Sequence, residues 1–237
     1  IMFMDADDSL SPYAVESLLQ ASLAHHADIS VGDVAVIHDG EEPEWEKPEV
    51  MHSTPISRQQ AYKRLARYEW WGPYSKLYKS CFLKKFRFPK ETLSEDYFLM
   101  VQIFHQAKMC HQPGTIYAYI KRDGSLSTET RLTPRSLDEV INTFNAWQYA
   151  RQHIAAFAQT ALHFFTESSV KIAMRAALDK SETSHHCWSF TRNRLIKYLF
   201  GICCNSRTHF KLKISCLLIF FGKYACRFTQ SLLKCKR

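Results

Sequence analysis

The sequence predicts a mixed α/β fold over residues 1–132 and an all-helical region over residues 133–237. In the first region, short apolar runs typical of strands alternate with stretches of helical periodicity. After about Arg135 only helical periodicity remains. With 237 residues, 46% of them apolar, the chain is long enough for one large domain or two small ones with a true core.

The α/β region contains candidate strands and helices in alternation. Residues 1–4 form a continuous apolar run, as expected for a buried central strand, and Ser11 and Pro12 then start a helix with Pro12 in its first position. One or two short strands are expected between residues 29 and 36, before an acidic loop. The remaining predictions of this region are helices over residues 57–67 and 95–108 and a strand over residues 115–120.

The second region contains only predicted helices, and their basic charge sets them apart. Residues 181–237 hold eleven Lys and Arg residues and one acid, a net charge of +10, whereas residues 1–180 carry −2. The basic character of the chain is therefore a property of its tail. The predicted helices span residues 135–153, 155–180, 193–199 and 211–233.

Two compositional features exclude whole classes of protein. The chain has seven glycines and no GxGxxG or GxxxxGK[ST] pattern, which excludes a P-loop NTPase and an intact Rossmann dinucleotide site. Six of its eight cysteines lie in the tail, whereas a secreted disulfide scaffold is shorter and more evenly cross-linked. We therefore expect reduced thiols in a cytosolic protein, most of them packed as small hydrophobic groups.

Two clusters of carboxylates are the first candidates for chemistry. Asp5, Asp7 and Asp8 follow the first apolar run, at the end of a strand where open α/β sheets bind ligands. Carboxylates this close repel one another unless a cation joins them, and oxygen ligands suit Mg²⁺ or Mn²⁺. The alternative is an Asp-rich turn that caps the next helix. Glu95 and Asp96 start a helix, where carboxylates are favoured for structural reasons, and their functional interpretation is a general base.

An aromatic pair offers a third candidate. Trp70 and Trp71 precede Gly72 and Pro73, and such a pair is either part of the core or a platform on which a sugar stacks.

The order of these motifs resembles the family 2 glycosyltransferases of the GT-A fold, the type that builds bacterial surface polysaccharides. The resemblance covers about residues 1–130. It rests on an apolar strand leading into DxDD, a Trp before Lys-Leu-Tyr, an apolar-Phe-Pro segment, Glu-Asp, and a Tyr-x-Tyr strand that ends in Arg-x-x-Ser. The corresponding residues are Asp5, Asp7 and Asp8, Trp71 with Lys76, residues 86–89, Glu95 and Asp96, Tyr117 and Tyr119, and Arg122 with Ser125.

The resemblance implies a partial GT-A fold and an inverting transfer of a sugar from a nucleotide-diphosphate donor. It implies that Asp7 and Asp8, with Asp5 nearby, hold a divalent cation, Mg²⁺ or Mn²⁺, against the donor diphosphate. Asp96 would take the proton from the acceptor hydroxyl, and Glu95 would orient the acceptor or the base. The remaining predicted substrate-binding residues are Trp71 on the acceptor sugar, Arg122 on the diphosphate, Lys76, Tyr117, Tyr119 and Ser125.

The sequence departs from that family in two ways. Ile120 stands where the family often has a second arginine after the tyrosine pair. The nucleotide-binding start, two or three βα units of about 60–100 residues, is not found before Ile1. We therefore expect the chain to be a fragment that carries the metal site and the acceptor half, with an upstream part missing.

The tail has three alternative interpretations. Residues 214–222 are strongly apolar but too few to cross a bilayer, which needs about 20 residues. Lys223, Arg227 and Lys234 fall on one helical face, beside the apolar residues Leu217, Leu218, Phe220, Phe221 and Phe228. This pattern is typical of a helix that lies on an anionic membrane surface, with an ordinary terminal helix as the alternative. No nucleic-acid-binding motif or zinc spacing accompanies the charge, so no nucleic acid is expected as a partner.

Taken together, the residues and the resemblance predict a glycosyltransferase of hexosyltransferase type. Its donor would be a nucleotide sugar, and its acceptor a glycan or lipid-linked glycan of lipopolysaccharide, capsule or exopolysaccharide. Residues 193–237 would place it at the inner face of the cell membrane as a peripheral cytoplasmic protein. The alternatives are a non-catalytic remnant, a membrane-associated binding module and, less favoured by the motifs, a basic nucleic-acid-binding protein.

Overall fold

The structure is a computed structural model that describes residues 1–88, 92, 95–122 and 131–227. The chain divides into two compact units. The first unit comprises residues 1–88 together with the chain from Leu99 onwards through the last strand. Of the described residues, the second unit comprises 92, 95–98 and 131–227. The prediction of two domains with a boundary at residue 132 stays a prediction.

A mixed sheet forms the centre of the first unit. Its strands are β1 (Ser9–Leu10), β2 (Ile29–His38), β3 (Thr54–Ile56), β4 (Lys76–Tyr78) and β5 (Met109–Lys121). The strand order is β1-β5-β2-β4, with β2 and β5 parallel and β4 antiparallel to β2. On its other edge β5 pairs antiparallel with β3 at its start and with β1 near its end. The predicted strands over residues 29–36 and 115–120 are thus each part of one longer strand.

Strands β2 and β5 approach each other closely at Gly32, where only a glycine fits. A Cβ atom added at Gly32 would lie 2.4 Å from Cγ1 of Ile116, so this position has no room for a side chain. The pairing register between the two strands shifts on either side of Asp33. Ile116 and Tyr117, both fully buried, then pack against Ala14 and Leu18 of the helix that covers the sheet.

The helices of the first unit are α1 (Ala14–Ala24), α2 (Arg58–Leu65), the short α3 (Ser80–Leu83) and the larger part of α4 (Glu95–Gln106). The predicted helices over residues 57–67 and 95–108 are confirmed. Ser57 caps α2 in a reciprocal capping box with Gln60, which is a strong local start signal. Helix α1 begins at Ala14, two residues after the predicted first helical position at Pro12.

The prediction of a buried strand over residues 1–4 is wrong. Only Met2 and Phe3 make isolated bridges, to Leu77 and Tyr74 respectively, and Ile1 and Met4 are each 49% exposed. Ile1 also exchanges two backbone hydrogen bonds with Tyr78, so the run lies along β4 as an irregular and partly exposed segment. An open groove of about 370 Å³ lies beside this segment, and its lining includes Ile1, Leu77 and the exposed side chains Val15, Leu19 and Leu23 of α1.

The second unit is helical, with α5 (Ser136–His153), α6 (Ala155–Leu178), α7 (Glu182–Lys197), α8 (Leu199–Cys204) and α9 (Phe210–Phe221). The first two agree with the predicted helices over residues 135–153 and 155–180. Helix α7 begins eleven residues before the predicted start at Asn193, because Ser181 caps it and accepts a hydrogen bond from the Ser184 N–H. Gly222, at φ +107°, ends α9, so the predicted helix over residues 211–233 is interrupted there.

Aromatic packing and side-chain contacts with carbonyls hold these helices together. Trp147 of α5 stacks on Phe165 of α6 at 5.6 Å between ring centroids. The guanidinium of Arg192 donates to the carbonyls of Ile219 and Phe220 at the end of α9. Arg227 likewise donates to Ala177 near the end of α6. Helix carboxyl ends leave carbonyls without helical partners, and cations stabilise them.

The cysteines of the described residues are free thiols, as predicted. Cys110, Cys187, Cys216 and Cys226 are buried and pack as small hydrophobic groups. Burial raises the pKa of Cys110 to about 11 and, with a smaller contribution from Cys203, that of Cys216 to about 12. In the described part of the chain, no helix combines the length and the apolar character needed to cross a membrane.

Candidate functional site

The Asp5–Asp8 turn, residues 5–8, lies between the bridged residues at the start of the chain and β1. The Asp8 N–H donates to the Asp5 carbonyl at 3.2 Å, which closes the turn. Asp5 and Asp7 are exposed, whereas Asp8 is 7% exposed. The turn therefore presents two carboxylates to solvent and sends the third inward.

Asp8 fastens the turn to β5. Its Oδ2 accepts a 2.6 Å hydrogen bond from the hydroxyl of Tyr117, and its Oδ1 accepts a 2.9 Å bond from the Ile120 N–H. The same hydroxyl of Tyr117 accepts a 3.1 Å bond from the Asp5 N–H. Burial and the bond to Asp8 raise the pKa of Tyr117 well above its ordinary value. Tyr117 thus connects both ends of the turn to the sheet.

The carboxylates of the turn act on one another. Burial raises the pKa of Asp5, and the negative charges of Asp8 and Asp7 raise it further. This repulsion is what a cation would relieve. However, no three His, Cys, Asp or Glu side chains converge as a metal-ligand group anywhere among the described residues. Each oxygen of Asp8 accepts one hydrogen bond that holds it to β5, whereas Asp5 and Asp7 are exposed and are the carboxylates open to a metal ion. Metal binding by Asp5, Asp7 and Asp8 stays a prediction.

Arg122 lies next to the turn, where the sequence predicted a contact with a diphosphate. One guanidinium nitrogen donates to the Asp7 carbonyl at 3.3 Å, and Nε is 3.7 Å from Oδ1 of Asp39. The Arg122 side chain is 45% exposed, so its remaining donors face solvent. The structure therefore brings together Asp5, Asp7, Asp8, Tyr117 and Arg122 from the two ends of the first unit.

Lys76 is buried, and its predicted contact with substrate stays a prediction. Its side chain has no exposed surface, and its ammonium group donates to the carbonyls of Gly72 and Tyr74 at 2.6 and 3.1 Å. A buried cation must be satisfied in this way, and here it fixes the Gly72–Pro73–Tyr74 turn.

The two tyrosines of the Tyr-x-Tyr strand have different surroundings. Tyr117 is fully buried and its hydroxyl contacts Asp8, and its predicted contact with substrate stays a prediction. Tyr119 is partly exposed and lies 6.3 Å from Tyr74, which stacks on Tyr117 at 4.9 Å. Of the pair, Tyr119 is the one with accessible surface.

The tryptophan pair is mostly engaged in packing. The Trp71 indole N–H donates to the Leu65 carbonyl at the end of α2, and its ring lies 4.9 Å from Tyr68. Trp70, at φ +60°, lies under the guanidinium of Arg64 and 6.3 Å from Phe104. The alternative of a core pair thus accounts for the observed contacts, and sugar stacking by Trp71 stays a prediction.

The predicted general base lies at the beginning of α4, in the second unit. Asp96 is half-buried in the first turn of that helix, where the free N–H groups favour a carboxylate. The side chain of Glu95 and the whole of Ser125 lie outside the described residues. The catalytic roles of Asp96 and Glu95 stay predictions.

Sequence reasoning missed two carboxylates that bind β5. Asp33 accepts hydrogen bonds from the His111 ring at 2.9 Å and from the Gly114 N–H at 3.0 Å. Burial alone would raise the pKa of Asp33, but these bonds and the charges of His111 and Arg64 hold it below its ordinary value. Asp28 accepts a bond from the Lys108 N–H just before the strand. The partners are about 80 residues apart, so no local pattern pointed to them.

Comparison with known proteins gives similarity in structure only. No protein-family model and no curated protein sequence matches the chain. The solved structures of residues 1–349 of S. aureus TarS, a GT-A-like glycosyltransferase, are similar at 13–14% identity. The TM-scores are 0.66 for the complex with UDP, 0.63 for TarS alone and 0.59 for the complex with UDP-GlcNAc.

These alignments cover 95–100% of this chain but only 63–67% of the TarS chains. The chain therefore spans about two thirds of the length of the structures that it matches. At this identity the similarity establishes the fold: an α/β GT-A-like partial fold followed by a helical C-terminal region, as the sequence predicted.

Proposed function

We propose that this chain is part of an inverting glycosyltransferase that transfers a hexose from a nucleotide-diphosphate donor to a hydroxyl of a growing surface glycan. The observation that supports this most directly is the Asp5–Asp8 turn with Arg122 beside it, within a GT-A-like fold. The TarS structures with that fold contain UDP and UDP-GlcNAc. A nucleotide sugar is therefore the donor class that we assign to this site.

In the proposed reaction, the acceptor hydroxyl oxygen attacks C1 of the donor sugar from the face opposite the nucleotide. The new bond joins C1 to the acceptor oxygen, and the bond from C1 to the diphosphate oxygen breaks. Asp96 takes the acceptor proton, and the nucleoside diphosphate leaves with the electron pair. A positioned base of this kind contributes about 10²–10⁴-fold to the rate. Glu95 orients the acceptor or the base.

The donor diphosphate is assigned to Arg122, whose half-exposed guanidinium keeps donors available for phosphate oxygens. Trp71 and Tyr119 are the aromatic groups that we assign to the acceptor sugar. Asp8 keeps its structural place under Tyr117. The divalent cation is proposed for Asp5 and Asp7, whose mutual repulsion it would offset, and manganese titration with and without UDP tests it directly.

We also propose a cytoplasmic location at the inner face of the cell membrane, where a lipid-linked glycan acceptor would be reached. The support is the charge of the tail, since residues 181–237 carry a net charge of +10 and anionic lipids attract basic segments.

Donor binding is tested by calorimetric titration of the purified chain with UDP and UDP-GlcNAc. We expect Arg122→Ala to weaken UDP binding about tenfold, a loss of about 1.4 kcal/mol, because charge-assisted hydrogen bonds to phosphate are lost. Arg67→Ala, which removes an exposed cation elsewhere in the first unit, is the matched control and should bind as the unaltered chain does. Failure of the unaltered chain to bind either nucleotide would contradict the proposal for the chain as it stands.

The base is tested by following UDP release from UDP-GlcNAc, with water as the acceptor. Asp96→Asn keeps the shape of the side chain but cannot accept the proton, so we expect UDP release to fall at least 100-fold with nucleotide binding unchanged. Asp138→Asn makes the same change in the first turn of α5 and serves as the control. Normal turnover by Asp96→Asn would remove Asp96 from the mechanism.

A further inference from the structure

Helix α9 exposes several large apolar side chains to solvent. Phe210, Ile214, Leu217 and Phe221 are spaced by four, three and four residues, so they form one stripe along the helix. Their exposed fractions are 74%, 41%, 41% and 75%. We call this set the α9 stripe.

The opposite face of α9 packs against the other helices of the second unit. Cys216 and Ile219 are buried there, at 1% and 0% exposure. The guanidinium of Arg192 fixes the end of the helix through the carbonyls of Ile219 and Phe220. The helix is thus held in place by one apolar face while presenting a second one outward. A soluble surface helix has a single apolar face, so the α9 stripe needs an occupant.

The charges around the α9 stripe identify that occupant. Lys211 and Lys213 lie within the same helix, on either side of the stripe by helical spacing. From residue 183 to the end, the chain has eleven Lys and Arg residues and no acid. A second copy of the chain would bring the same positive flanks to the contact, which disfavours pairing. An anionic lipid surface offers both the apolar layer and the negative charge.

Two cations of the basic face predicted for the tail have contacts within the second unit. Lys223 lies over the Trp188 ring at 5.7 Å, and its pKa is lowered chiefly by burial. Arg227 donates to the Ala177 carbonyl at 2.5 Å. These two cations are used inside the second unit, and Lys234 lies outside the described residues. The apolar stripe and its flanking lysines, rather than Lys223 and Arg227, therefore form the candidate surface.

We infer that the α9 stripe docks the second unit on an anionic lipid bilayer, with α9 lying parallel to the membrane plane. Twelve residues of helix are about 18 Å long, well short of the hydrocarbon thickness of about 30 Å. Phe210, Ile214, Leu217 and Phe221 enter the headgroup and acyl boundary, while Lys211 and Lys213 contact lipid phosphates. This inference rests on the membrane location proposed above but not on glycosyl transfer, so vesicle binding and UDP binding can fail independently.

The test is flotation of the purified full chain with two kinds of vesicle: phosphatidylcholine alone, and phosphatidylcholine mixed with phosphatidylglycerol. We expect binding to the mixed vesicles, weaker binding to the neutral ones, and a loss in high salt. F210S/F221S should lower the bound fraction at least tenfold, because two of the inserted groups are removed without a change of charge. K211Q/K213Q should weaken binding to the mixed vesicles while leaving binding to neutral vesicles unchanged.

M51S is the matched control, because Met51 is 84% exposed in the first unit and outside the α9 stripe, and it should bind as the unaltered chain does. Unchanged circular dichroism of each variant shows that the helices remain folded. The inference is overturned if the unaltered chain fails to float with the mixed vesicles, or if F210S/F221S floats equally well. It is also overturned if sedimentation shows a dimer that F210S/F221S dissociates and that does not bind vesicles, since the occupant is then a second copy.

Discussion

Strand β5 of the first unit and the helix ends of the second unit are held by side chains of opposite charge. In the first unit, aspartates accept hydrogen bonds from backbone N–H groups in or just before β5: Asp28 from Lys108, Asp33 from Gly114, and Asp8 from Ile120. In the second unit, arginines donate to backbone carbonyls at helix ends: Arg192 to Ile219 and Phe220, and Arg227 to Ala177.

This difference follows the unequal charge of the sequence. The first unit carries a net charge of −2 and the second a net charge of +10, and the contacts at β5 and at the helix ends use the charge that each unit has in excess. Strands β2 and β5 meet with a shifted register, where fixed acceptors compensate for irregular pairing. Helix ends, in contrast, leave carbonyls that fixed donors satisfy. The two units should therefore respond differently to loss of a charge and to acid.

The largest expected effect is that of Asp8→Ala. The substitution leaves the Tyr117 hydroxyl and the Ile120 N–H without their acceptor in a buried setting, and each unsatisfied group costs about 1–3 kcal/mol. We expect the opening free energy of the β5 amides, measured by hydrogen exchange, to fall by about 3 kcal/mol. Asp7→Ala changes an exposed carboxylate of the same turn and should leave exchange unchanged. Equal exchange in the two variants would show that Asp8 does not secure β5.

A smaller effect is expected for Arg192→Met in the second unit. The aliphatic part of the side chain is kept, but two hydrogen bonds to the end of α9 are lost. Because the contact is partly exposed, we expect the last turn of α9 to open more easily by only about 1 kcal/mol in hydrogen exchange. Arg207→Met, which removes an exposed guanidinium of the same unit, should have no effect on α9. Faster exchange of the β5 amides as well would contradict an effect of Arg192 confined to α9.

The smallest expected effect is a difference between the two units in hydrogen-exchange protection at low pH. The pKa of Asp33 is below its ordinary value, so its stabilisation is complete above the unfolded value of about 3.9 and is lost as the pH falls further. Arginine stays charged throughout this range. Hydrogen exchange between about pH 6 and about pH 3 should therefore show β5 losing protection before α9.

The variant Asp33→Asn sharpens that comparison. Its β5 should start less protected and should then depend less on pH, because the titrating carboxylate is gone. An unaltered pH dependence would assign the acid sensitivity to other groups.

What the sequence predicted well was local. The capping box of Ser57 and Gln60 and the long periodicity of α5 and α6 gave helices close to those observed, because their signals lie within one or two turns. Gly222 was an equally local stop signal, and the predicted helix over residues 211–233 wrongly ran through it. The order of short motifs along residues 1–130 was enough to predict the GT-A-like fold.

What the sequence could not provide was long-range pairing. Asp8 and Tyr117 are 109 residues apart, so nothing local shows that the carboxylate is turned inward by a buried phenol. The resemblance implied a substrate contact for Lys76, yet its side chain has no exposed surface and its ammonium group donates to two carbonyls of a nearby turn. In both cases the tertiary environment decides whether a polar side chain faces solvent and a ligand or is buried and satisfies backbone and side-chain groups.

The phenol of Tyr117 gives this protein an optical signal of its own. Burial and the bond to Asp8 hold its pKa above that of an ordinary tyrosine, so it keeps its proton when exposed tyrosines ionise in alkali. The near-ultraviolet absorbance of tyrosinate should therefore rise in separate steps, with Tyr117 contributing only when its surroundings open. Because Tyr78 and Tyr97 are also buried, the difference between the alkaline titrations of the unaltered chain and of Tyr117→Phe isolates this step and reports whether the Asp5–Asp8 turn is still assembled on β5.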